Sequence, residues 1–376
     1  MNERTILIGE YLSGDYSLAE LARRRGISRK TAYKWIERYE QEGIEGLEER
    51  SRAPHEHPNM ISREMEERIL SWKEQRPSWG APKIHSKLWE YPDCPAESTV
   101  SNVLRRHGLT RPVRRRGRAT PSIGPLQNSQ GPNEVWCVDF KGWFRTGNGR
   151  RCEPLTISDQ YSRYLLCCQG ISSSPRMLTV KPLFIRTYRE YGLPERIRSD
   201  NGSPFASTGL GGLTALSVWW LRLGIQLERI EPGHPEQNGR HERLHRTLKA
   251  AAAKPPCWSL QQQQRAFDAF RHDYNQERPH EALGQKPPAH FYRPSTREYS
   301  ERLPEVQYPC GWHKRRVSPG GQLKWRGHKL HLSQALIGQL VGLEPIDDGL
   351  WTIHFMNLEL GQLDERKNRV LPKRNL

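Results

Sequence analysis

The chain has 376 residues, enough for roughly two to four domains with separate cores. It carries 59 Lys and Arg against 42 Asp and Glu, a formal net charge of +17, and an excess of that size favours a polyanionic partner, nucleic acid first. No apolar run approaches the ~18 residues of a membrane span, and the start MNERTILIGEYLSGDYS lacks the apolar stretch of a signal peptide, so no membrane partner is expected and the cytoplasm or nucleoid is the expected location.

Residues 17–39, SLAELARRRGISRKTAYKWIERY, hold two short helical patterns separated by Gly26. Ser17 with Glu20 forms a capping box, and Ser28 caps the second helix. In that helix Ala32, Trp35, Ile36 and Tyr39 make the inward stripe while Arg29, Lys30, Tyr33 and Lys34 face out. This is a helix-turn-helix pattern with a basic second helix suited to a major groove; an ordinary helical hairpin with a basic exterior shares it. A polar, Pro-containing linker at 51–59 leads to a second unit of the same kind. There Met65, Ile69 and Trp72 line one helix, Ile84 and Leu88 a second, and Val100, Val103 and Leu104 a third, capped by Ser98, with Ser101, Asn102, Arg105 and Arg106 facing out. The run RPVRRRGR at 111–118 supplies Arg114, Arg115, Arg116 and Arg118 for phosphates or a narrow minor groove. A flexible stretch, TPSIGPLQNSQGP, follows.

The next segment reads as strands, then alternating strand and helix, which predicts an α/β layer with a mixed sheet. EVWCVDF is a strand with Asp139 near its end; EPLTISDQYSRYLLCCQGI gives two more; a helix runs from about residue 175 to 190. RIRSDNGSPF is a short strand with Asp200 at its tip and a turn at Asn201 and Gly202. PGHPEQNGRHERLHRTLK is a loop opening a helix near Gly239, which puts Glu242 in the first turn, with Arg246 and Lys249 on its face. Two strand-end acids and one helical acid suit a cluster of hard divalent cations, although each Asp alone also fits a turn cap and the stripe also fits a solvated face. Phe267, Phe270 and Tyr274 mark a later amphipathic helix, 292–309 reads as a linker, and alternating stretches over 311–371 predict a small barrel with a basic side. Seven cysteines, odd in number and without a Cys-x-x-Cys pair, read as reduced thiols.

VWCVDF, SDQYSRY, RSDNGSPF, GHPEQNGRHERLHRTLK and YNQERPHEALGQKPPAHFY stand in the order of a known family. The chain resembles the Asp-Asp-Glu transposases of bacterial insertion sequences, whose catalytic core is similar to that of retroviral integrases and RNase H. The resemblance implies all-α helix-turn-helix modules at 1–50 and 60–112, an Arg-rich linker at 113–132, an α/β RNase H-like core at 133–295 and a small β-barrel at 310–372. It implies that Asp139, Asp200 and Glu242 hold two Mg²⁺ ions, for which Mn²⁺ substitutes, and that Arg246 and Lys249 lie along double-stranded DNA. The partners implied are the element's terminal inverted repeats and target DNA, met by a dimer or larger homo-oligomer. The family's usual spacing from Asp200 ends on Glu236; Glu242, six residues later, fits the helical part of the motif, with 207–215 absorbing the extra length as a surface insertion. The alternative is a sequence-specific DNA-binding regulator whose integrase-like core is catalytically inactive.

Overall fold

The structure is a computed structural model that describes residues 3–50, 60–110, 126, 128–231, 234, 237 and 239–372. It divides into two compact units, Met1–Arg63 and Glu64–Leu376.

In the first unit α1 (Glu3–Ser13), α2 (Leu18–Arg24) and α3 (Arg29–Glu42) close over Leu7, Ile8, Leu21, Ala22, Ala32, Trp35 and Ile36. The capping box forms as expected: the Ser17 N–H donates to Glu20 Oε2 at 2.9 Å and the Glu20 N–H to Ser17 Oγ at 3.4 Å. Ser28 Oγ accepts from the Thr31 N–H at 3.1 Å, and Gly26 makes the turn at φ +62°. Helix α1 is an addition to the expected pair, contributing Leu7 and Ile8 to the same core.

The second unit opens with α4 (Arg63–Gln75), α5 (Ala81–Leu88) and α6 (Glu97–Arg106). Helix α6 starts two residues earlier than expected, so Ala96 takes the cap position without a side-chain bond and Ser98 lies inside the helix. The three-helix module is fastened to the rest of the unit. Arg76 pairs with Asp273 at 2.5 Å, Lys87 with Glu277 at 2.8 Å, and the Lys83 ammonium donates to the Pro279 carbonyl.

A mixed sheet follows, with β1 (Val135–Phe140), β2 (Phe144–Arg145), β3 (Arg151–Asp159), β4 (Leu165–Ile171), β5 (Arg196–Ser199) and β6 (Gln226–Arg229). β3 pairs antiparallel with β1, β2 and β4, while β5 runs parallel to both β1 and β6. The pleat sends alternate side chains to opposite faces. Trp136, Val138, Leu155 and Ile157 pack against α7 (Met177–Tyr191) and α8 (Ala215–Arg222) through Phe184, Tyr188, Trp219 and Trp220. On the other face Cys152 and Cys168 meet Leu244, Leu248 and Phe267 of α9 (Gly239–Ala252) and α10 (Leu260–His272). The cysteines are free thiols. Asp159 is a structural staple: its carboxylate accepts from the Asn133 N–H at 2.8 Å, the Ser162 N–H at 2.8 Å and the Ser162 hydroxyl at 2.6 Å.

The C-terminal strands depart from the expected barrel. β7 (His313–Arg316), β10 (Leu340–Asp347), β11 (Leu350–Phe355), β12 (Leu358–Asp364) and β13 (Arg369–Pro372) form an open antiparallel sheet, and β8 (Gln322–Trp325) with β9 (His328–His331) forms a separate hairpin. The edge strands β7 and β13 are only four residues long, and the ladder stops at them. Side-chain packing of Leu323, Trp325, Leu330, Val341, Leu343, Ile353 and Phe355 joins hairpin to sheet instead.

Two segments expected to be free are in contact. In 207–215 Leu213 is buried with the C-terminal core, beside Leu360 and Leu363, so this stretch docks a domain instead of looping into solvent. In 292–309 Tyr292 is buried and donates from its hydroxyl to Asn133 at 2.9 Å, Tyr299 packs on the same core, and the Tyr308 hydroxyl donates to the Leu340 carbonyl at 2.9 Å. Gly211 has φ +63°, and a Cβ there would lie 2.8 Å from Leu360 Cδ2. Gly211→Ala should therefore cost about 1–3 kcal/mol and lower the thermal midpoint by several degrees. A melt unchanged from the parent would mean that this docking contributes nothing.

Candidate active site and nucleic-acid surface

Asp139 and Asp200 lie at the same end of two neighbouring strands because β1 and β5 run parallel: Asp139 is the penultimate residue of β1, and Asp200 directly follows β5. Asp200 keeps a turn-capping role as well, its Oδ1 accepting from the Gly202 N–H at 3.2 Å. Glu242 enters from α9, in the first turn as expected, and is exposed. Glu236 lies outside the described residues.

Asp139 is close enough to Asp200 and Glu242 to feel the charge of both. Burial raises the Asp139 carboxyl from its ordinary 3.8 to about 7, and the charges of Asp200 and then Glu242 push it the same way. A cation among them would remove both the repulsion and the desolvation penalty, and the hard oxygen donors are what Mg²⁺ or Mn²⁺ prefer. Lys141, two residues on from Asp139, has its ammonium pKa lowered by burial and then by the nearby Lys249 charge. Lys249 is thus near Lys141, while Arg246 and Lys249 are themselves exposed.

The sequence reading passed over the inward face of α9. His241, Leu244, His245 and Leu248 are its buried positions, at the spacing of a core-facing stripe. They meet the strand face that carries Thr156 and Ser158, Thr156 being the cross-strand partner of Asp139. The Thr156 hydroxyl lies 2.6 Å from His241 Nε2, 2.7 Å from His245 Nε2 and 3.1 Å from the Asp139 carbonyl. Burial holds the imidazole of His241 down to about 3 and that of His245 to about 2, so both are neutral. Asp139, His241 and His245 offer ligand atoms all within 4.8 Å of one another. HERLH at 241–245 also has the His-Glu-x-x-His spacing of helical zinc sites, the signal that could have flagged this pair. Here the geometry differs from such a site, since the Ser158 hydroxyl at 3.1 Å and Thr156 engage both nitrogens of His241.

Arg29, Lys30, Tyr33 and Lys34 are exposed on α3, matching the outward face of a recognition helix. On α6, Asn102, Arg105 and Arg106 are exposed; Arg106 pairs with Glu66 at 3.1 Å and Arg105 donates to Asn102 at 3.1 Å. Ser101 instead lines a cleft shared with Ala250 and Ala251 of α9 and Ala266 and Ala269 of α10. Arg114, Arg115, Arg116 and Arg118 lie outside the described residues. No helix among the described residues is long and apolar enough to cross a membrane.

Residues 129–235 and 223–288 each match the family described as integrase core domain, and 313–371 match the C-terminal domain of IS481 family transposases. Residues 3–55 match a helix-turn-helix domain and 31–104 a homeodomain-like domain. The insertion element IS407 uncharacterized 31.7 kDa protein of Burkholderia multivorans is 28% identical over 233 residues, 60% of this chain and 79% of that one. The insertion element IS476 uncharacterized 39.2 kDa protein of Xanthomonas euvesicatoria is 28% identical over 243 residues, 62% of this chain and 66% of its own length. Together these matches support an insertion-sequence transposase with an integrase-like core. The chain is also 22% identical over 268 residues to the transposase for transposon Tn552 of Staphylococcus aureus, spanning 64% of this chain and 54% of that one. Among solved structures, the HTLV-2 integrase catalytic core domain in complex with magnesium (trimeric form) covers 44% of this chain and 99% of its own, at 16% identity and a TM-score of 0.35. A simian T-cell lymphotropic virus intasome in complex with PP2A regulatory subunit B56 gamma covers 81% and 99%, at 15% identity and a TM-score of 0.39.

Proposed function

We propose that this transposase binds the terminal inverted repeats of its element, cuts the DNA there and joins the freed end to target DNA, using two divalent cations held by Asp139, Asp200 and Glu242. The observation that supports this reading is Asp139 on β1, raised to about 7 by burial and by the charges of Asp200, after β5, and of Glu242, on α9. Mg²⁺ is the proposed ion and Mn²⁺ its substitute. When bound, such a pair of ions stabilises the attacking and leaving oxygens of an in-line phosphoryl displacement. The chain's own groups hold the strand in place: Arg246 and Lys249 meet phosphates beside the cluster, and α3 and α6 present bases and hydrogen-bonding groups to the two parts of each element end.

The proposed division is 1–50 and 60–112 for recognition, 113–132 as an Arg-rich phosphate-binding linker, 133–295 for catalysis and 310–372 as a small β module. Exposed Arg315, Arg316, Lys324, Arg326 and Lys329 give that module a basic side. Joining two ends calls for at least a dimer. The proposed setting is the cytoplasm, on the nucleoid.

The reading is tested by incubating the full chain with a duplex carrying the element's end, a supercoiled plasmid and Mg²⁺. A joined product that EDTA eliminates is the expected result; tight binding with the duplex left intact in both Mg²⁺ and Mn²⁺ would favour the inactive regulator. Substituting Lys30 or Lys34 should weaken binding across sequences, and flatten its salt dependence, where the side chain meets phosphate. A change in preferred sequence would instead mark a base contact, and binding identical to the parent would remove that residue from the interface. Lys249, seven residues beyond Glu242, is about 10 Å further along the axis. Lys249→Ala should reduce activity in a way that low salt or excess DNA partly restores, as for a lost phosphate contact. Wild-type behaviour at every salt concentration would make the outer stripe of α9 a solvated face.

A further inference from the structure

The hydrogen-bond network behind Asp139 fixes the tautomer of both histidines. The Thr156 hydroxyl has one proton and three partners, and the Asp139 carbonyl has no proton to give. Thr156 therefore donates to that carbonyl and accepts from both Nε2–H groups. Each imidazole is left with a bare Nδ1. That of His241 accepts the Ser158 hydroxyl proton at 3.1 Å. That of His245 faces Asp139 Oδ2 at 3.7 Å, too far for a hydrogen bond, and its side chain is only 9% exposed. Two electron-pair donors thus face each other across a short gap, with the imidazole orientation locked from behind by Thr156. Two atoms each about 2.1 Å from one ion are at most about 4.2 Å apart, and this pair is inside that limit.

We infer that His245, through Nδ1, is a further ligand of the ion held by Asp139, with Thr156 as the residue that positions it. This rests on the proposed metal-dependent reading of the triad. Its chemical consequence is selectivity. An imidazole nitrogen suits first-row transition ions better than Mg²⁺, so the site should favour Mn²⁺ or Co²⁺ over Mg²⁺ more strongly than three carboxylates alone would. Thr156 plays the part of an outer partner that fixes the tautomer of a metal-bound histidine.

The test is Mn²⁺ binding to the full chain, read by pulsed electron paramagnetic resonance for coupling to ¹⁴N and by titration for affinity. The expected result is nitrogen coupling in the parent that disappears in His245→Gln, with Mn²⁺ affinity falling about 10–100-fold and Mg²⁺ affinity falling less. Mn²⁺ bound without nitrogen coupling in the parent overturns the inference while leaving the triad in place; this arm needs no variant, so a misfolded His245→Gln cannot shield it. Coupling that persists in a folded His245→Gln likewise overturns it, by moving the nitrogen to His241. A parent chain that binds no Mn²⁺ at all overturns the triad reading as well.

Discussion

Asp139→Asn, Asp200→Asn and Glu242→Gln should each abolish cleavage and strand transfer while leaving binding to the element's end nearly intact. A catalytic divalent cation contributes several kcal/mol at the transition state, so the loss should be about a thousandfold or more. Recognition is carried elsewhere, by phosphate and base contacts of the helical modules, and does not need these anions. Cleavage by purified variants and a binding titration on the same duplex separate the two effects. Wild-type cleavage by any one of the three in Mg²⁺ removes that residue from the cluster. Glu236→Gln is the control: severe loss there with Glu242→Gln active would move the third acid to the family's usual count.

The second large effect is on stability and has the opposite sign. In EDTA, Asp139→Asn should make the protein more stable than the parent. The Asp139 carboxyl is raised from 3.8 to about 7, so the folded parent holds a proton there that the unfolded chain releases. Stability from this group is therefore lost as pH rises from about 4 to about 7, and the loss is complete above that; by linkage the full amount is at most about 4 kcal/mol. The gain from Asp139→Asn should be largest at pH 8 and shrink toward pH 5. His241 and His245, buried neutral, destabilise the fold in the other direction, as pH falls below the ordinary histidine value. Their contribution is common to parent and variant and drops out of the difference. Mn²⁺ should raise the melting midpoint of the parent more than that of Asp139→Asn, because only the parent keeps the full ligand set. Equal melts at both pH values in EDTA would mean that Asp139 is not strained by burial and by its neighbours.

How much of this was legible in the sequence depends on whether the signal was local. β1, β5 and α9 are bounded by turn residues and breakers, and the caps at Ser17 and Ser28 are local chemistry, so those elements and the three acids fall where the pattern places them. The inward face of α9 was not legible, because two histidines in a core-facing stripe make sense only once β3 is known to present Thr156 and Ser158 opposite them. The stretches 207–215 and 292–309 have the composition of loops, and only their distant partners, Leu360 for the first and Asn133 for the second, make them part of the packing. Alternation over 311–371 located the strands, but alternation says nothing of whether the two edges meet, and here they stop short.

The most direct measurement of the central claim is the position of the 3′ ends formed when the full chain acts on DNA that carries the element's end. With Mg²⁺ a single new 3′-hydroxyl is expected at the element's terminus, appearing again covalently joined to target DNA, and neither product is expected in EDTA. Protein-bound DNA whose strands stay whole in Mg²⁺ and in Mn²⁺, or cuts scattered without regard to the terminus, would contradict that claim.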